Sequence, residues 1–310
     1  MTAYVELEKE ARLVKMLGVG EPGFGKTGSL CSVMNTGRYK WRVMDFDGHF
    51  VQATAPFLTD VGKANVDVWR CEDKNKMVGP TAVGVKTGTY SPTVIHRAYG
   101  MLEHWKYKDE RGREVDLGKP ADWGQDTVIV VDSLSPVNRA SMALALHVKG
   151  HTESGATRKD WQPAMALEEG FIENLTSSIF VPCHIVVFSH LRMIGPEELP
   201  DDIKGEDPDV RSAKKDLVIR RNEQLEWRDV PRALGKDLSR NIAEHFPIMV
   251  LYDKEIRGTT VHRIVRFQAS EKMAVKVPAL NTPASMPAET GLRWLFSAVE
   301  GGWPDTGVTA

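Results

Sequence analysis

The sequence predicts an α/β fold in which a mostly parallel sheet carries helices on both faces and gains a C-terminal antiparallel hairpin. Short apolar runs bounded by turn residues alternate with helical stretches, a pattern typical of parallel strands joined by helical crossovers. Near the C-terminus the pattern changes to two extended runs, 248–252 and 261–267, separated by Arg257, Gly258 and Thr259. With 310 residues and 42% hydrophobic content, the chain can bury a sizeable core.

The elements are predicted from apolar periodicity and from the residues that bound each run. A proline follows a serine at 92 and at 136, which places both prolines at first helical positions. A last amphipathic helix is predicted over 289–299. The buried strands are predicted at 13–19, 41–46, 66–70, 127–132 and 184–189. The other helices are predicted at 27–35, 91–108, 135–149 and 164–179.

Along the chain we predict one domain over 1–277, followed by a tail and short helix over 278–310. Three irregular segments are inserted in the domain, near 73–90, 150–160 and 195–230. Long irregular segments inside a compact domain are usually functional or disordered, so these three segments are candidates for binding.

Charge and cysteine content narrow the classes of function. Lysine and arginine number 40 against 42 acidic residues, so no global positive field attracts nucleic acid or anionic lipid, and any nucleic-acid site has to be local. Cys31, Cys71 and Cys183 are widely spaced and odd in number, which argues against a disulfide framework or zinc site and favours a reducing cytoplasm. No apolar run approaches the roughly 18 residues that cross a bilayer, so we expect a soluble protein without a membrane partner.

The complete pattern Gly-x-x-x-x-Gly-Lys-Thr lies between the first predicted strand and the first predicted helix. A triphosphate is wrapped by successive backbone N–H groups, and only a glycine-rich turn brings the backbone close enough. Lys26 is expected to contact the β- and γ-phosphates, and Thr27 to offer its hydroxyl to Mg²⁺. The predicted cofactors are therefore ATP and Mg²⁺. The predicted cofactor-binding residues are Gly20, Glu21, Pro22, Gly23, Phe24, Gly25, Lys26, Thr27 and Gly28.

Acidic residues at two strand ends are candidates for the metal and for the catalytic base. Asp132 ends an apolar strand that we expect beside the P-loop, the glycine-rich segment 20–27. There it would hold a water on Mg²⁺; the alternative is a helix cap. Strand alternation places Asp45 and Asp47 on one face, and Asp47 is the candidate that positions or deprotonates the attacking water. The alternative is a polar strand end that leads into the turn at Gly48.

These motifs, in this order, resemble those of the RecA-like ATPases, and in particular the compact RecA-like proteins of bacteriophages that bind single-stranded DNA and act in strand annealing or recombination. The matching segments are 20–27, 45–49 and 128–133. A fourth match, 187–193, looks like the strand that carries the family's polar γ-phosphate sensor before a DNA-binding loop. The similarity spans 13–277.

The resemblance implies a RecA-like P-loop ATPase, stimulated by single-stranded DNA, that forms a ring or filament of its own copies in the host cytoplasm. A single-strand-binding protein is a further implied partner. Two positions depart from the family's pattern. The usual catalytic glutamate is replaced by Asp47, one methylene shorter, which favours an extra water or slower hydrolysis. The sensor, commonly an amide, is His190, which can still donate to a γ-phosphate; the alternative is a structural polar residue.

By the same resemblance, 150–160 and 195–230 occupy the places of the two DNA-facing loops. Between 211 and 240, nine basic residues stand against five acidic ones, and Trp161 and Trp227 offer aromatic faces for bases. An ordinary solvated charge run is the alternative. The predicted nucleic-acid contacts are Arg158, Lys159, Trp161, Arg211, Lys214, Lys215, Arg220 and Arg221.

A cation from a neighbouring subunit is expected to reach the γ-phosphate, as the resemblance implies. Lys272 is the predicted residue, with Lys276, Arg263 and Arg266 as alternatives.

Two other functions are compatible with the motifs. A small-molecule P-loop kinase would need an arginine-rich lid, for which the stretch near Arg220 is a candidate, although the acidic strand end at Asp47 and the hairpin favour an ATPase. A nucleotide-switched assembly or scaffold protein would bind ATP with little turnover. Stimulation of hydrolysis by single-stranded DNA would separate the first hypothesis from both alternatives.

Overall fold

A computed structural model of the protein describes residues 12–72, 92–150, 157–194, 228–269, 274–277 and 282–303. The first predicted insertion, residues 151–156 of the second and residues 195–227 of the third therefore lie outside the described residues, as do Lys272, Arg211, Lys214, Lys215, Arg220 and Arg221.

The secondary structure alternates between strands and helices over most of the chain. The strands are β1 Lys15–Val19, β2 Lys40–Asp45, β3 Val66–Arg70, β4 Lys106–Lys108, β5 Glu114–Asp116, β6 Thr127–Asp132, β7 His184–Ser189, β8 Leu191–Ile194, β9 Arg228–Pro231, β10 Ile248–Arg257, β11 Thr260–Arg266 and β12 Ser285–Pro287. The α-helices are α1 Lys26–Ser29, α2 Cys31–Met34, α3 Phe50–Thr54, α4 Asp60–Ala64, α5 Val94–Glu103, α6 Leu134–Val148, α7 Arg158–Thr176, α8 Gly235–Asn241 and α9 Ala288–Val299. Two 3₁₀ helices are Pro120–Asp122 and Ile242–His245.

In the described part of the chain, eight strands form one mixed sheet in the order β12-β11-β10-β1-β7-β6-β2-β3. The six strands from β10 to β3 in this order pair in parallel, and β11 and β12 continue the sheet in antiparallel. The predicted α/β class, with a mostly parallel sheet and a C-terminal hairpin, is thus confirmed.

Helices cover both faces of this sheet, as predicted. Every residue of β1, β6 and β7 is buried, which explains why these strands read as continuous apolar runs. Successive residues of a strand point to opposite faces. Accordingly, Leu17 belongs to the core with α5, α6 and α7, whereas Met16 belongs to the core with α2 and α9.

The predicted helix over 91–108 is wrong at both ends. α5 begins at Val94, and it ends at Glu103 because His104 turns to an extended conformation. Trp105 then enters the core, and its backbone exchanges hydrogen bonds with Leu117 and Gly118. The residues that follow form β4, which pairs with β5 instead of continuing the helix.

Among the helices that begin earlier than predicted are α6 and α7. α7 begins at Arg158 because Thr157 and Asp160 form a capping box. Pro163 lies inside this helix and has no N–H to donate to Lys159 O; Lys149 Nζ donates to that carbonyl at 2.7 Å instead. α6 begins at Leu134, so Pro136 is its third residue and not its first.

The C-terminal helix α9 is packed into the second core. Leu292, Leu295 and Phe296 are fully buried, and a Cβ at Gly291 would lie only 2.1 Å from Val265 Cγ1. After the helix, Glu300 accepts hydrogen bonds from Tyr39 Oη and from Trp303 Nε1, which joins this end of the chain to the start of β2. None of the described helices has the length and apolar character needed to cross a membrane.

The Glu300 contacts predict a pH-dependent stability. Burial alone would raise the pKa of Glu300, but hydrogen bonds from His184, Tyr39 and Trp303 lower it to about 2. Because the folded-state pKa lies below the unfolded value of about 4.3, the stabilisation is complete above that pH and disappears as pH falls through about 2. We expect Glu300→Gln to lower the free energy of unfolding at pH 7 by about 1–3 kcal/mol.

The measurement is urea denaturation of both proteins between pH 7 and pH 3, with Glu289→Gln on the exposed first turn of α9 as the control. The difference between wild type and Glu300→Gln should narrow towards pH 3, while the control matches wild type throughout. A difference that stays constant with pH would contradict this account.

Candidate functional site

The glycine-rich turn follows β1 at the carboxyl edge of the sheet. Gly20 N–H donates to Ser189 O at 3.2 Å, and a Cβ at Gly20 would lie 2.6 Å from Tyr252 O, so no other residue fits there. Gly23 and Gly25 have φ of +81° and +90°, in the left-handed region that favours glycine. The segment thus has the turn geometry that the sequence predicts.

Lys26 lies across the mouth of this turn. Its ammonium donates to Gly20 O at 2.6 Å and to Glu21 O at 3.0 Å, and the residue is only 7% exposed. Burial lowers the pKa of Lys26 to about 8, against the opposite effect of Asp132, Glu21 and Asp47. A buried cation that donates hydrogen bonds to carbonyl oxygens attracts an anion that enters the turn.

Thr27 Oγ1 donates a hydrogen bond to Asp132 Oδ2 at 2.8 Å. As expected, the strand of Asp132 ends beside the glycine-rich turn, although β7 lies between β1 and β6 in the sheet. The two side chains meet because the carboxyl ends of parallel strands share one edge of the sheet. They join the glycine-rich turn to β6.

Asp132 is the most strongly perturbed carboxyl group of this edge. Burial raises its pKa to about 7; Asp47 and Asp45 act in the same direction, while Thr27 and Lys26 oppose them. A divalent cation would relieve this concentration of carboxylates. The Thr27 hydroxyl and the Asp132 carboxylate are oxygen donors of the kind that Mg²⁺ prefers, so the residues present fit that ion.

Asp45 and Asp47 have different environments. Asp45 is 1% exposed and accepts hydrogen bonds from Gly48 N–H at 2.8 Å and Phe50 N–H at 3.2 Å, so it holds the turn that leads into α3. Asp47 is half-buried, and its carboxylate accepts no hydrogen bond from the described residues. Strand alternation does not relate the two residues, because β2 ends at Asp45.

His190 directly follows β7 at the same edge. Its Nδ1 lies 3.3 Å from Ser135 Oγ, and its carbonyl accepts from Arg232 N–H at 2.8 Å. Burial lowers the pKa of His190, as do the charges of Lys26 and Arg232, and Asp47 opposes them. The ring is therefore neutral at pH 7, with one N–H available as a donor.

The structure thus brings Lys26, Thr27, Asp47, Asp132 and His190 together. The charge of Asp47 acts on the pKa of Lys26, of Asp132 and of His190, which places its carboxylate among the three. An ammonium, two carboxyl groups and a neutral imidazole beside a glycine-rich turn can bind a phosphate chain and activate a water.

The alternatives to Lys272 as a cation for a neighbouring subunit are all engaged within their own chain. Lys276 Nζ donates to Phe246 O at 3.0 Å, and Arg266 Nε donates to Asp253 at 2.9 Å. Arg263 Nε donates to Gly23 O at 3.0 Å, in the glycine-rich turn itself. Sequence reasoning missed this last contact because neither segment carries a local pattern that indicates packing of the hairpin against the turn.

Two of the predicted nucleic-acid contacts are exposed but lie on a helix rather than a loop. Lys159 is exposed and Trp161 is 42% exposed, both in the first turns of α7. Arg158 is the first residue of the same helix, and the capping box explains why this stretch is helical. The five predicted contacts from Arg211 to Arg221 lie outside the described residues.

The chain matches no protein-family model, and no curated protein matches it at a significant level. The chemistry of the site therefore has to be argued from its own geometry.

The different environments of Asp45 and Asp47 predict different effects on stability. Asp45→Ala removes the acceptor of two backbone N–H groups in a buried turn, and we expect it to lower the free energy of unfolding by about 1–3 kcal/mol. Asp47→Ala should stay within about 0.5 kcal/mol of wild type, as at exposed sites. Urea denaturation followed by circular dichroism measures both, and equal losses would show that Asp47 also supports the turn.

Proposed function

We propose that the protein is a Mg²⁺-dependent ATPase with a RecA-like core that acts on single-stranded DNA in annealing or recombination of the phage type. The observation that carries the proposal is the hydrogen bond of Thr27 to Asp132, formed beside the buried ammonium of Lys26 in a turn of left-handed glycines. A hydroxyl, a carboxyl and an ammonium in this arrangement suit a metal-bound triphosphate.

In this proposal the backbone N–H groups of the turn surround the phosphate oxygens, and Lys26 moves its hydrogen bonds from Gly20 O and Glu21 O to the β- and γ-phosphates. Thr27 and Asp132 hold Mg²⁺, either directly or through its water. The ion, when bound, neutralises charge on the phosphates. The anchored positions of Thr27 and Asp132 mean that little reorganisation is needed on binding.

The two remaining groups of the edge have roles in hydrolysis. The Asp47 carboxylate accepts no hydrogen bond from the described residues, and in this proposal it orients the attacking water and accepts its proton. His190 is neutral and donates to a γ-phosphate oxygen, where charge develops as the bond to the leaving group breaks. The γ-phosphate is transferred to water, with ADP as the leaving group.

The DNA part of the proposal is supported by the start of α7. Lys159 offers a cation and Trp161 an exposed aromatic face, the combination that single-strand sites use. The β8–β9 pair begins directly after β7, with Leu191 opposite Pro231, so this end of the pair lies beside His190 and Arg232. DNA bound there would be coupled to His190 through the hydrogen bond with Arg232.

The first test is ATP hydrolysis with Mg²⁺, with and without single-stranded DNA. We expect stimulation by DNA in wild type, no hydrolysis in Lys26→Ala, and a fall in kcat of about 10²- to 10⁴-fold in Asp47→Asn. Asp122→Asn changes an exposed acid in the 3₁₀ helix that precedes β6, whereas the site residues lie at the carboxyl ends of the strands; it is the matched control and should behave as wild type.

Each other outcome selects an alternative. Phosphate transfer to a small-molecule acceptor, indifferent to DNA, would support the kinase. Tight ATP binding without turnover, together with ATP-dependent assembly, would support the scaffold protein. Hydrolysis that survives Lys26→Ala would contradict the site altogether.

A second test concerns the contact with DNA. We expect Trp161→Ala to weaken binding of labelled oligo-dT about 10-fold, since stacking of a base on an aromatic ring is worth about 1–3 kcal/mol. Phe57→Ala removes an aromatic ring that is 60% exposed at the end of α3 and serves as the control. Fluorescence anisotropy gives both affinities, and an equal change in the two variants would argue against a site at α7.

A further inference from the structure

One face of the hairpin formed by β10 and β11 looks towards the glycine-rich turn. Residues directly opposite each other on antiparallel strands share a face. Tyr252 is opposite Val265, and two residues further along each strand Lys254 is opposite Arg263. Tyr252 is buried and its hydroxyl lies 2.8 Å from Ser29 Oγ in α1. The Lys254 and Arg263 side chains therefore lie on the same face as Tyr252, which is fixed against α1 directly after the glycine-rich turn.

Both cations contact the turn. Lys254 Nζ lies 5.2 Å from the centroid of the Phe24 ring, and Arg263 Nε donates to Gly23 O at 3.0 Å. A Cβ at Gly25 would lie 3.1 Å from Arg263 Cδ, so the arginine stem passes directly over the turn. Both side chains are exposed, so part of each charged group is free to meet a ligand.

In the described part of the chain, no acidic side chain forms a salt bridge with this pair. Like charges directly opposite each other destabilise a hairpin. Among the described residues, Lys254 and Arg263 have no salt bridge, whereas the other two arginines of the same hairpin do: Arg257 with Glu255 and Arg266 with Asp253, each at 2.9 Å. The two opposed cations lower the stability of the hairpin, and they lie beside a turn suited to phosphate. An anion that binds both cations would explain why they are placed there.

The order of the strands indicates which phosphate of the bound anion would lie beside Lys254 and Arg263. The carboxyl groups and His190 lie at the ends of β2, β6 and β7, on one side of β1, and the hairpin lies on the other side. In the proposed function the γ-phosphate faces Asp47 and His190, so the opposite end of the phosphate chain faces the hairpin. We propose that Lys254 and Arg263 bind the α-phosphate of the nucleotide, an inference that rests on the proposed function.

The test compares ATP and ADP affinities by isothermal titration calorimetry in Lys254→Met, Arg263→Met and the double variant. Methionine keeps an apolar stem over the turn and removes the charge. We expect each single variant to bind about 10-fold more weakly, by the same factor for ATP and ADP because both carry the α-phosphate. The loss should shrink at 1 M salt, where the screening length is about 3 Å.

Two further variants make the result specific. Arg257→Met removes a paired arginine from the same hairpin and should bind both nucleotides as wild type does. Arg263→Lys keeps the charge and should recover most of the affinity, while thermal melts confirm that every variant is folded. Affinity that stays low in Arg263→Lys, or a loss that does not change with salt, would show that Arg263 only braces the turn and would overturn the proposal.

Failure of the inference and failure of the proposed function give different results. If wild type binds ATP and Lys26→Ala does not, but the methionine variants match Arg257→Met, only the role of Lys254 and Arg263 is wrong. If wild type binds neither nucleotide, the proposed function itself is wrong.

Discussion

The hydrogen bond from Thr27 to Asp132 joins two side chains that are 105 residues apart, and the arrangement of the site depends on it. It forms because β1 and β6, which both pair in parallel with β7, end at the same edge of the sheet. The bond also holds a buried carboxyl beside Lys26, so two charges that would be costly alone lie within reach of each other. The site is thus a consequence of sheet order as much as of the glycine-rich motif.

Sequence reasoning predicted the bounds of three strands correctly, whether the strand is fully buried, as β6 and β7 are, or mostly half-buried, as β3 is. The bounds predicted for β3, β6 and β7 are those observed, because an apolar β-branched run between turn residues has few alternatives. It failed where tertiary contacts decide the local structure. Trp105 is buried in the core after the end of α5 instead of continuing the helix, and a capping box makes α7 begin earlier than predicted. Spatial order is a further limit, since nothing in the residues of β6 shows that β7 separates it from β1.

The candidate site was predicted only where its residues form a local pattern along the chain. A contiguous motif such as 20–27 can be read along the chain, and the acid at the end of an apolar strand can be recognised. The distinction between Asp45 and Asp47 could not be made, because it depends on where β2 ends and which backbone N–H groups face the carboxylate. The contact of Arg263 with Gly23 joins residues 240 positions apart and had no local signal.

The close approach of Gly291 to Val265 has a consequence for how the protein can change in evolution. α9 lies against β11 with no room for a methyl group, and β11 carries Arg263 to the glycine-rich turn. A larger residue at 291 would push the helix and the strand apart, and the displacement would reach the turn through the hairpin. Selection on the geometry of the glycine-rich turn would therefore also act on a glycine in the last helix.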